Sequence, residues 1–204
     1  NSMSASNFVP GAVTLYHDFF HESIPAGIAY DNTQIKWDQQ HWEVESQEKD
    51  AFLLERRLCM VDDCLQIILN IRRYYEDAAI EWFLEFKNVS AYDTRIISQI
   101  DSAKLQFRFP SETAPFFCDF NGSAEQPYDF IMNETQMFHY ARRVLKPVGG
   151  RSSSYTMPYF NLAMDQYGYF IAIGWSGQWN AEVFRKSDEG MIDFRAGMED
   201  GCFR

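Results

Sequence analysis

The chain has 204 residues, of which 46% are hydrophobic and 17% aromatic, and its formal net charge is −11 at pH 7. This composition predicts a folded protein with a sizeable core and excludes intrinsic disorder, while an acidic chain without a run of Lys or Arg disfavours a nucleic-acid partner. No apolar run approaches the roughly 20 residues of a membrane-spanning helix, and no basic and apolar leader opens the chain, so we expect a cytoplasmic protein without a membrane partner.

Two histidines lie four residues apart near the start of the chain, His17 and His21. On a helix they would share a face and could offer two ligands to a divalent metal. The HExxH motif is absent, and spacing nominates no third ligand. We therefore predict no metal site and no cofactor, and we expect histidines that are solvated or hydrogen-bonded.

Strict alternation of apolar and polar residues dominates from residue 65 onward. This period of two predicts antiparallel strands with one buried and one wet face. The apolar sets are Leu65, Ile67, Leu69 and Ile71; Ile80, Trp82, Leu84 and Phe86; Leu105, Phe107 and Phe109; and Ile192, Phe194, Ala196 and Met198.

Turn signals separate these runs, namely Asp77-Ala78, Asn121-Gly122-Ser123, Gly149-Gly150 and Asp165 to Gly168. Their spacing favours a β-sandwich. Two segments, 89–102 and 130–138, carry apolar residues at helical spacing and are either short helices or irregular crossovers. No linker or repeat divides the chain, so we predict one all-β domain over residues 1–204, a large antiparallel sandwich with up to two short helices.

The four cysteines, Cys59, Cys64, Cys118 and Cys202, form no CxxC pair. A disulfide framework is not expected in a chain of this length and apolar content. Cys118 and His139 are a conceivable nucleophile and base, but no neighbouring cation that would activate the thiol can be identified. We therefore predict buried thiols that pack as small apolar groups.

Several segments resemble, in the same order, the amino-terminal β-sandwich of bacterial α-galactosidases of the melibiase type, in glycoside hydrolase family 36. The similar segments are 80–88, 93–100, 118–120, 149–154, 158–162 and 171–179. The resemblance covers residues ~80 to ~200 and is weak before residue 75; an ordered set of segments is more specific than one motif. It implies a galactose-mutarotase-like supersandwich that packs against a catalytic (β/α)8 barrel.

The resemblance implies that this chain is an amino-terminal fragment of a longer glycosidase whose catalytic barrel is missing. Lys36-Trp37-Asp38 looks like the family's nucleophile motif, but Gln40 stands where the family has Asn, and the triplet lies outside any βα repeat. A retaining glycosidase also needs a second carboxyl about 5–5.5 Å from its nucleophile. We therefore assign no catalytic residue, and expect Asp38 to be a surface charge.

The candidate recognition residues are Arg151, Trp175, Gln178 and Trp179. An indole face can stack on a pyranose ring while neighbouring polar groups bind its hydroxyls. Gly174 and Gly177 bracket Trp175 and would allow a loop or bulge to expose it. The alternative for both tryptophans is a place in the core, because most tryptophans are buried.

The leading hypothesis is a non-catalytic accessory domain of an α-galactosidase-like glycoside hydrolase, in which residues 151–179 contact substrate or another domain. Its expected partners are the carboxy-terminal catalytic barrel of the same polypeptide and, through the parent enzyme, galactose-containing oligosaccharides. A homo-oligomer is also considered. The alternatives are a self-sufficient carbohydrate-binding module and a purely structural oligomerisation sandwich.

Overall fold

The computed structural model describes residues 7–186 and 190–204. The chain is 50% strand and 8% helical, with four sheets and a single α-helix in this described part, so the predicted all-β antiparallel class is confirmed. Two compact units divide the chain: residues 1–98 with 202–204 form the first unit, and residues 99–201 the second. The single-domain assignment of residues 1–204 stays a prediction.

The first unit contains the helix and two four-stranded sheets, ordered β3-β4-β5-β6 and β16-β7-β1-β2. Neighbours in the first of these sheets are antiparallel and consecutive in sequence. The elements are α1 (Pro10–Phe20), β1 (Gly27–Tyr30), β2 (Thr33–Gln34), β3 (Glu43–Glu48), β4 (Phe52–Met60), β5 (Leu65–Tyr74), β6 (Ile80–Asn88), β7 (Ile97–Asp101), which continues into the second unit, and β16 (Cys202–Phe203).

The predicted apolar face of β5 is buried. Leu65, Ile67, Leu69 and Ile71 each expose 1% or less of their surface. Register places Trp82 opposite Ile71 on the same face, and the Trp82 ring meets Phe20 of α1 edge-on at 5.2 Å between centroids. The period-two pattern therefore predicts the inward-facing side of β5 and β6 correctly.

Helix α1 begins with Pro10, whose fixed φ suits the first helical position and whose missing N–H has no partner to lose there. The side chains of Ala12, Phe19 and Phe20 are buried. Gly11 is required by close approach, because a Cβ there would lie 2.5 Å from the Cβ of Ala78 in the β5–β6 turn. The helix therefore fits closely against the sheet.

A buried ion pair fastens the end of this helix to β4. The Arg57 guanidinium donates to Glu55 Oε1 at 2.6 Å, to the Phe20 carbonyl at 2.7 Å and to the Ser23 carbonyl at 3.3 Å. The Tyr16 hydroxyl donates to Glu55 Oε2 at 2.8 Å and accepts from Arg57 at 3.0 Å. Burial and the Glu55 carboxylate raise the pKa of Tyr16. Arg57 thus satisfies the Phe20 carbonyl, which the helix end leaves without an intrahelical partner.

The second unit is a sandwich of two four-stranded antiparallel sheets, ordered β10-β9-β12-β13 and β11-β14-β15-β8. Phe160 of the first sheet meets Trp179 and Phe194 of the second at 5.8 Å and 6.0 Å between ring centroids. The strands are β8 (Ala103–Arg108), β9 (Phe116–Phe120), β10 (Met132–Gln136), β11 (Arg142–Leu145), β12 (Tyr159–Met164), β13 (Tyr167–Ala172), β14 (Trp179–Arg185) and β15 (Met191–Met198).

Buried charges cross this sandwich at defined places. Asp119 is 1% exposed and accepts two hydrogen bonds of 2.9 Å from Arg143 of the facing sheet, and a third, of 3.1 Å, from Asn133. Arg185 is also 1% exposed, and its guanidinium donates to the carbonyls of Ser111, Thr113 and Met137. These bonds join the two sheets and hold the loops beside them.

The helical alternative for 89–102 and 130–138 is wrong. Within these segments the chain forms strands β7 and β10, and β10 pairs with β9 along its whole length. Ile96, Phe130 and Phe138 are exposed, whereas Ile100 is buried as part of β7, so the helically spaced residues form no continuous buried stripe. Pairing with neighbouring strands decided the conformation, against the local spacing.

We predict that Trp82→Ala lowers the free energy of unfolding by about 3 kcal/mol, because it removes the ring that packs on Phe20 and leaves a cavity. Denaturant unfolding followed by circular dichroism measures the change. Phe83→Ala is the matched control, since Phe83 lies on the opposite face and is exposed. A loss below about 1 kcal/mol for Trp82→Ala would contradict the packing of α1 on this face.

We predict that Arg57→Ala costs about 3–5 kcal/mol, because it leaves the Glu55 carboxylate buried without its cation. Arg95→Ala, which breaks an exposed pair with Asp31, should cost less than about 1 kcal/mol. The double variant Glu55→Ala/Arg57→Ala should cost less than the sum of the single changes. Strict additivity in this cycle would show that the pair is not coupled.

Candidate functional site

Three of the four residues predicted for recognition lie in two loops of the second unit, and the fourth, Trp179, is the first residue of β14. The Gly-Gly loop (residues 146–155) follows β11, and the Trp175 loop (residues 173–178) joins β13 to β14. The Ser152 N–H donates to the Ser176 carbonyl at 3.2 Å, which joins the two loops directly. The structure therefore brings the predicted residues into one region, and their environments differ.

Trp179 is a core residue. Its side chain belongs to β14, is 1% exposed and packs against Phe160 inside the sandwich. The indole N–H donates to the Ser152 carbonyl at 2.9 Å and lies 3.1 Å from the Ser152 hydroxyl. A ring held in this way cannot stack on a ligand at the surface.

Gln178 is a partly buried connector between the loops. Its Oε1 accepts from the Gly150 N–H at 2.9 Å, and its Nε2 donates to the Pro147 carbonyl. Gly149 and Gly150 have φ of +75° and +77°, which L side chains rarely adopt, so glycine is needed for this turn. Lys146 and Gln178 together lower the pKa of Glu199. Both ends of the Gln178 amide thus form hydrogen bonds within the protein.

Trp175 is the exposed member of the pair, with half of its surface accessible. A Cβ at Gly177 would lie 2.8 Å from the Trp175 Nε1 and 3.2 Å from Cε2, so the indole lies over the Gly177 backbone. Gly174, in contrast, has nothing within 4 Å of its Cβ position. Of the two flanking glycines, Gly177 therefore determines where the ring rests.

Arg151 is exposed and lines a cleft of about 310 Å³ that the sequence did not reveal. The other lining residues come from the turn after β9 and from the Gly-Gly loop: Ser123, Ala124, Glu125, Ser153, Ser154 and Tyr155. In the sequence, the cleft is marked only by two turn motifs, Asn121-Gly122-Ser123 and Gly149 to Ser154. Their separation along the chain does not predict that they lie close together.

Close backbone contact builds this cleft. The Ser123 N–H donates to the Ser153 carbonyl at 2.9 Å, and Asn121 forms a β-bridge with Thr156. A Cβ at Gly122 would lie 2.1 Å from the Ser153 oxygen, so only glycine fits there. The two loops therefore form a continuous, hydrogen-bonded wall.

The remaining motifs occupy ordinary positions. Asp38 is exposed within the 3-10 turn Trp37–Gln39, in agreement with a surface charge. His17 and His21 stack at 5.2 Å between ring centroids, and the described residues hold no group of three or more His, Cys, Asp or Glu placed to bind a metal ion.

The cysteines differ from the prediction in part. All four are free, and Cys59 is buried, which raises the pKa of its thiol to about 11. Cys202 is exposed, so the buried environment predicted for it is wrong, and Cys64 and Cys118 are only partly buried. Burial, Glu134 and Asp119 raise the pKa of Cys118, which is the opposite of what a nucleophilic thiolate needs.

The outer face of the sheet β10-β9-β12-β13 carries an aromatic row that we call the aromatic face (Phe120, Tyr159 and Phe170). The rings of Phe120 and Tyr159 lie 5.4 Å apart, and those of Tyr159 and Phe170 6.1 Å apart. Phe170 exposes 72% of its surface. Met132, which is 52% exposed, extends the row because it pairs with Phe120.

Comparison with protein-family models gives no match for this chain, and comparison with curated proteins gives no significant match. The resemblance to the α-galactosidase sandwich therefore depends on the residues themselves. Among the helices that the structure describes, none has the length and apolar character needed to cross a membrane.

We predict that Gly177→Ala displaces the Trp175 indole, because the new methyl group would overlap Nε1. The indole N–H signal of Trp175 in a 1H–15N spectrum should move, while the signal of the buried Trp179 should stay in place. Gly174→Ala is the matched control and should leave both signals unchanged. Equal shifts in the two variants would contradict the position of the ring over Gly177.

Proposed function

We propose that this chain is a non-catalytic accessory sandwich of an α-galactosidase-like glycoside hydrolase, and that its second unit packs against the catalytic barrel. The observation that carries the proposal is the aromatic face together with the exposed Trp175. Contiguous apolar surface rimmed by polar residues is typical of protein contacts. Aromatic residues and methionine are also enriched in interfaces.

The loop geometry favours a protein contact over a sugar contact for the Trp175 loop. A stacking indole needs placed polar partners for the sugar hydroxyls. The nearest predicted partner, Gln178, already binds Gly150 and Pro147 through both ends of its amide. A half-exposed indole fixed over a glycine presents instead a rigid apolar contact, which loses little conformational entropy on association.

The first test is catalytic. The purified chain is expected not to hydrolyse an aryl α-galactoside, since no carboxylate pair is assigned to it. Turnover that disappears in Asp38→Asn and persists in Glu43→Gln would overturn the proposal, because both residues are exposed acids of the same segment. Such a result would revive the Lys36-Trp37-Asp38 motif.

The second test is association. The chain is mixed with a melibiase-type catalytic barrel that lacks its own sandwich, and complex formation is followed by sedimentation velocity. Binding is expected, and Phe170→Ser and Trp175→Ser should weaken it by roughly tenfold or more, as for central interface aromatics. Val144→Ser is the control, because this exposed residue lies on β11 of the other sheet. No complex with the barrel would contradict the proposal, and self-association abolished by Phe170→Ser would favour the oligomerisation alternative.

A further inference from the structure

The cleft beside Arg151 is large enough to hold a small ligand. Its volume, about 310 Å³, is at the lower end of the range for such sites. It lies wholly within the second unit, and none of its lining residues belongs to the aromatic face. Its lining combines a guanidinium, a carboxylate, three serines and a phenol ring.

Ser154 provides a polar group at the cleft that the protein leaves open. The residue is 7% exposed, and its hydroxyl makes no hydrogen bond to any residue that the structure describes. Its oxygen is open to the cleft rather than enclosed in the core, so a ligand hydroxyl can hydrogen-bond to it there.

Opposite charges at the cleft select the class of ligand. The Arg151 and Glu125 side chains line it, and neither forms an ion pair within the described part of the chain. Glu125 and the net charge of −11 oppose a free anion, while Arg151 opposes a cation. A neutral molecule with several hydroxyls can accept a hydrogen bond from Arg151 and donate one to Glu125.

Tyr155 adds an apolar surface to these polar groups. Its side chain is 51% exposed, and its φ is +66°, an uncommon conformation for a bulky residue. Non-glycine residues held in this region concentrate at ligand sites. The Tyr155 ring can pack against the C–H face of a sugar ring while the polar groups bind its hydroxyls.

We propose that the Ser123–Tyr155 cleft binds one ring of a neutral sugar. Arg151 donates hydrogen bonds to ring hydroxyls, Glu125 accepts one, Ser154 completes the polar contacts and Tyr155 stacks on the ring. This inference goes beyond the accessory function, because binding in the cleft requires no catalytic barrel. It also separates sugar recognition by Arg151 from protein contact by Trp175.

The test uses the whole chain and 1H–15N spectra with galactose, melibiose and inorganic phosphate, each titrated to about 10 mM, the range of weak single-ring binding. We expect both sugars to shift the backbone signals of residues 123–125 and 151–155. Arg151→Met and Tyr155→Asn should each raise the dissociation constant roughly tenfold or more, as expected for loss of a charged hydrogen bond or of a ring contact. Asn is chosen at 155 because it tolerates positive φ.

Two control variants make the outcome specific. Tyr128→Ala removes a similarly exposed ring that does not line the cleft, and Trp175→Ala removes the proposed protein contact. Neither should alter sugar binding, and thermal melting verifies that every variant is folded. Binding of phosphate in preference to sugar, no shift with either sugar, or loss of binding in Trp175→Ala but not in Arg151→Met would each overturn the proposal. Failure of the barrel to associate would not affect these results, so the two proposals fail separately.

Discussion

The hydrogen bond from the Trp179 indole to the Ser152 carbonyl is the contact on which the whole loop region of the second unit depends. A buried indole N–H must find an acceptor, because leaving it without one costs about 1–3 kcal/mol. The acceptor lies in the Gly-Gly loop, so the core of the sandwich fixes a surface loop. Arg151 and Ser154 lie close to Ser152 in the chain, so this hydrogen bond also constrains their positions.

Buried arginines hold a helix end in the first unit and loops in the second. In the first unit, Arg57 joins the carboxylate of Glu55 to the Phe20 carbonyl at the end of α1. In the second, Arg185 donates to three loop carbonyls, and no carboxylate partner of its side chain is found among the residues described. Removing one partner of either arginine would leave a buried polar group without its hydrogen bond, which is costly in the protein interior.

The two proposed surfaces of the second unit have different chemistry. The aromatic face is open and apolar, which suits another protein, whereas the cleft is small and polar with one aromatic wall, which suits a single sugar ring. Gln178 belongs to neither surface, since its amide holds the loops together. The two proposed contacts can therefore be tested by separate substitutions.

The period-two pattern determined much of this fold by itself. The apolar sets at 65–71, 105–109 and 192–196 are buried, because alternate side chains of a strand always point to opposite faces. The turn signals Asp77-Ala78 and Asp165-Gln166 also lie between paired strands, at the β5–β6 and β12–β13 connections. Both signals act over a few residues, and local patterns of this kind can be read from sequence.

Only the tertiary structure decided which candidate residues reach a surface. Trp175 and Trp179 were equally good candidates from the sequence, yet the first is half exposed and the second lies in the core. The difference arises because β14 starts at Trp179, whose ring packs against Phe160. The cleft joins residues 123–125 to 151–155 through a bridge between Asn121 and Thr156, a contact that no spacing predicts. Helical spacing at 130–138 was overridden for the same reason, since strand pairing with β9 satisfies more backbone groups than an isolated turn of helix. Contacts between distant segments depend on how the whole chain folds, so local sequence patterns do not predict them.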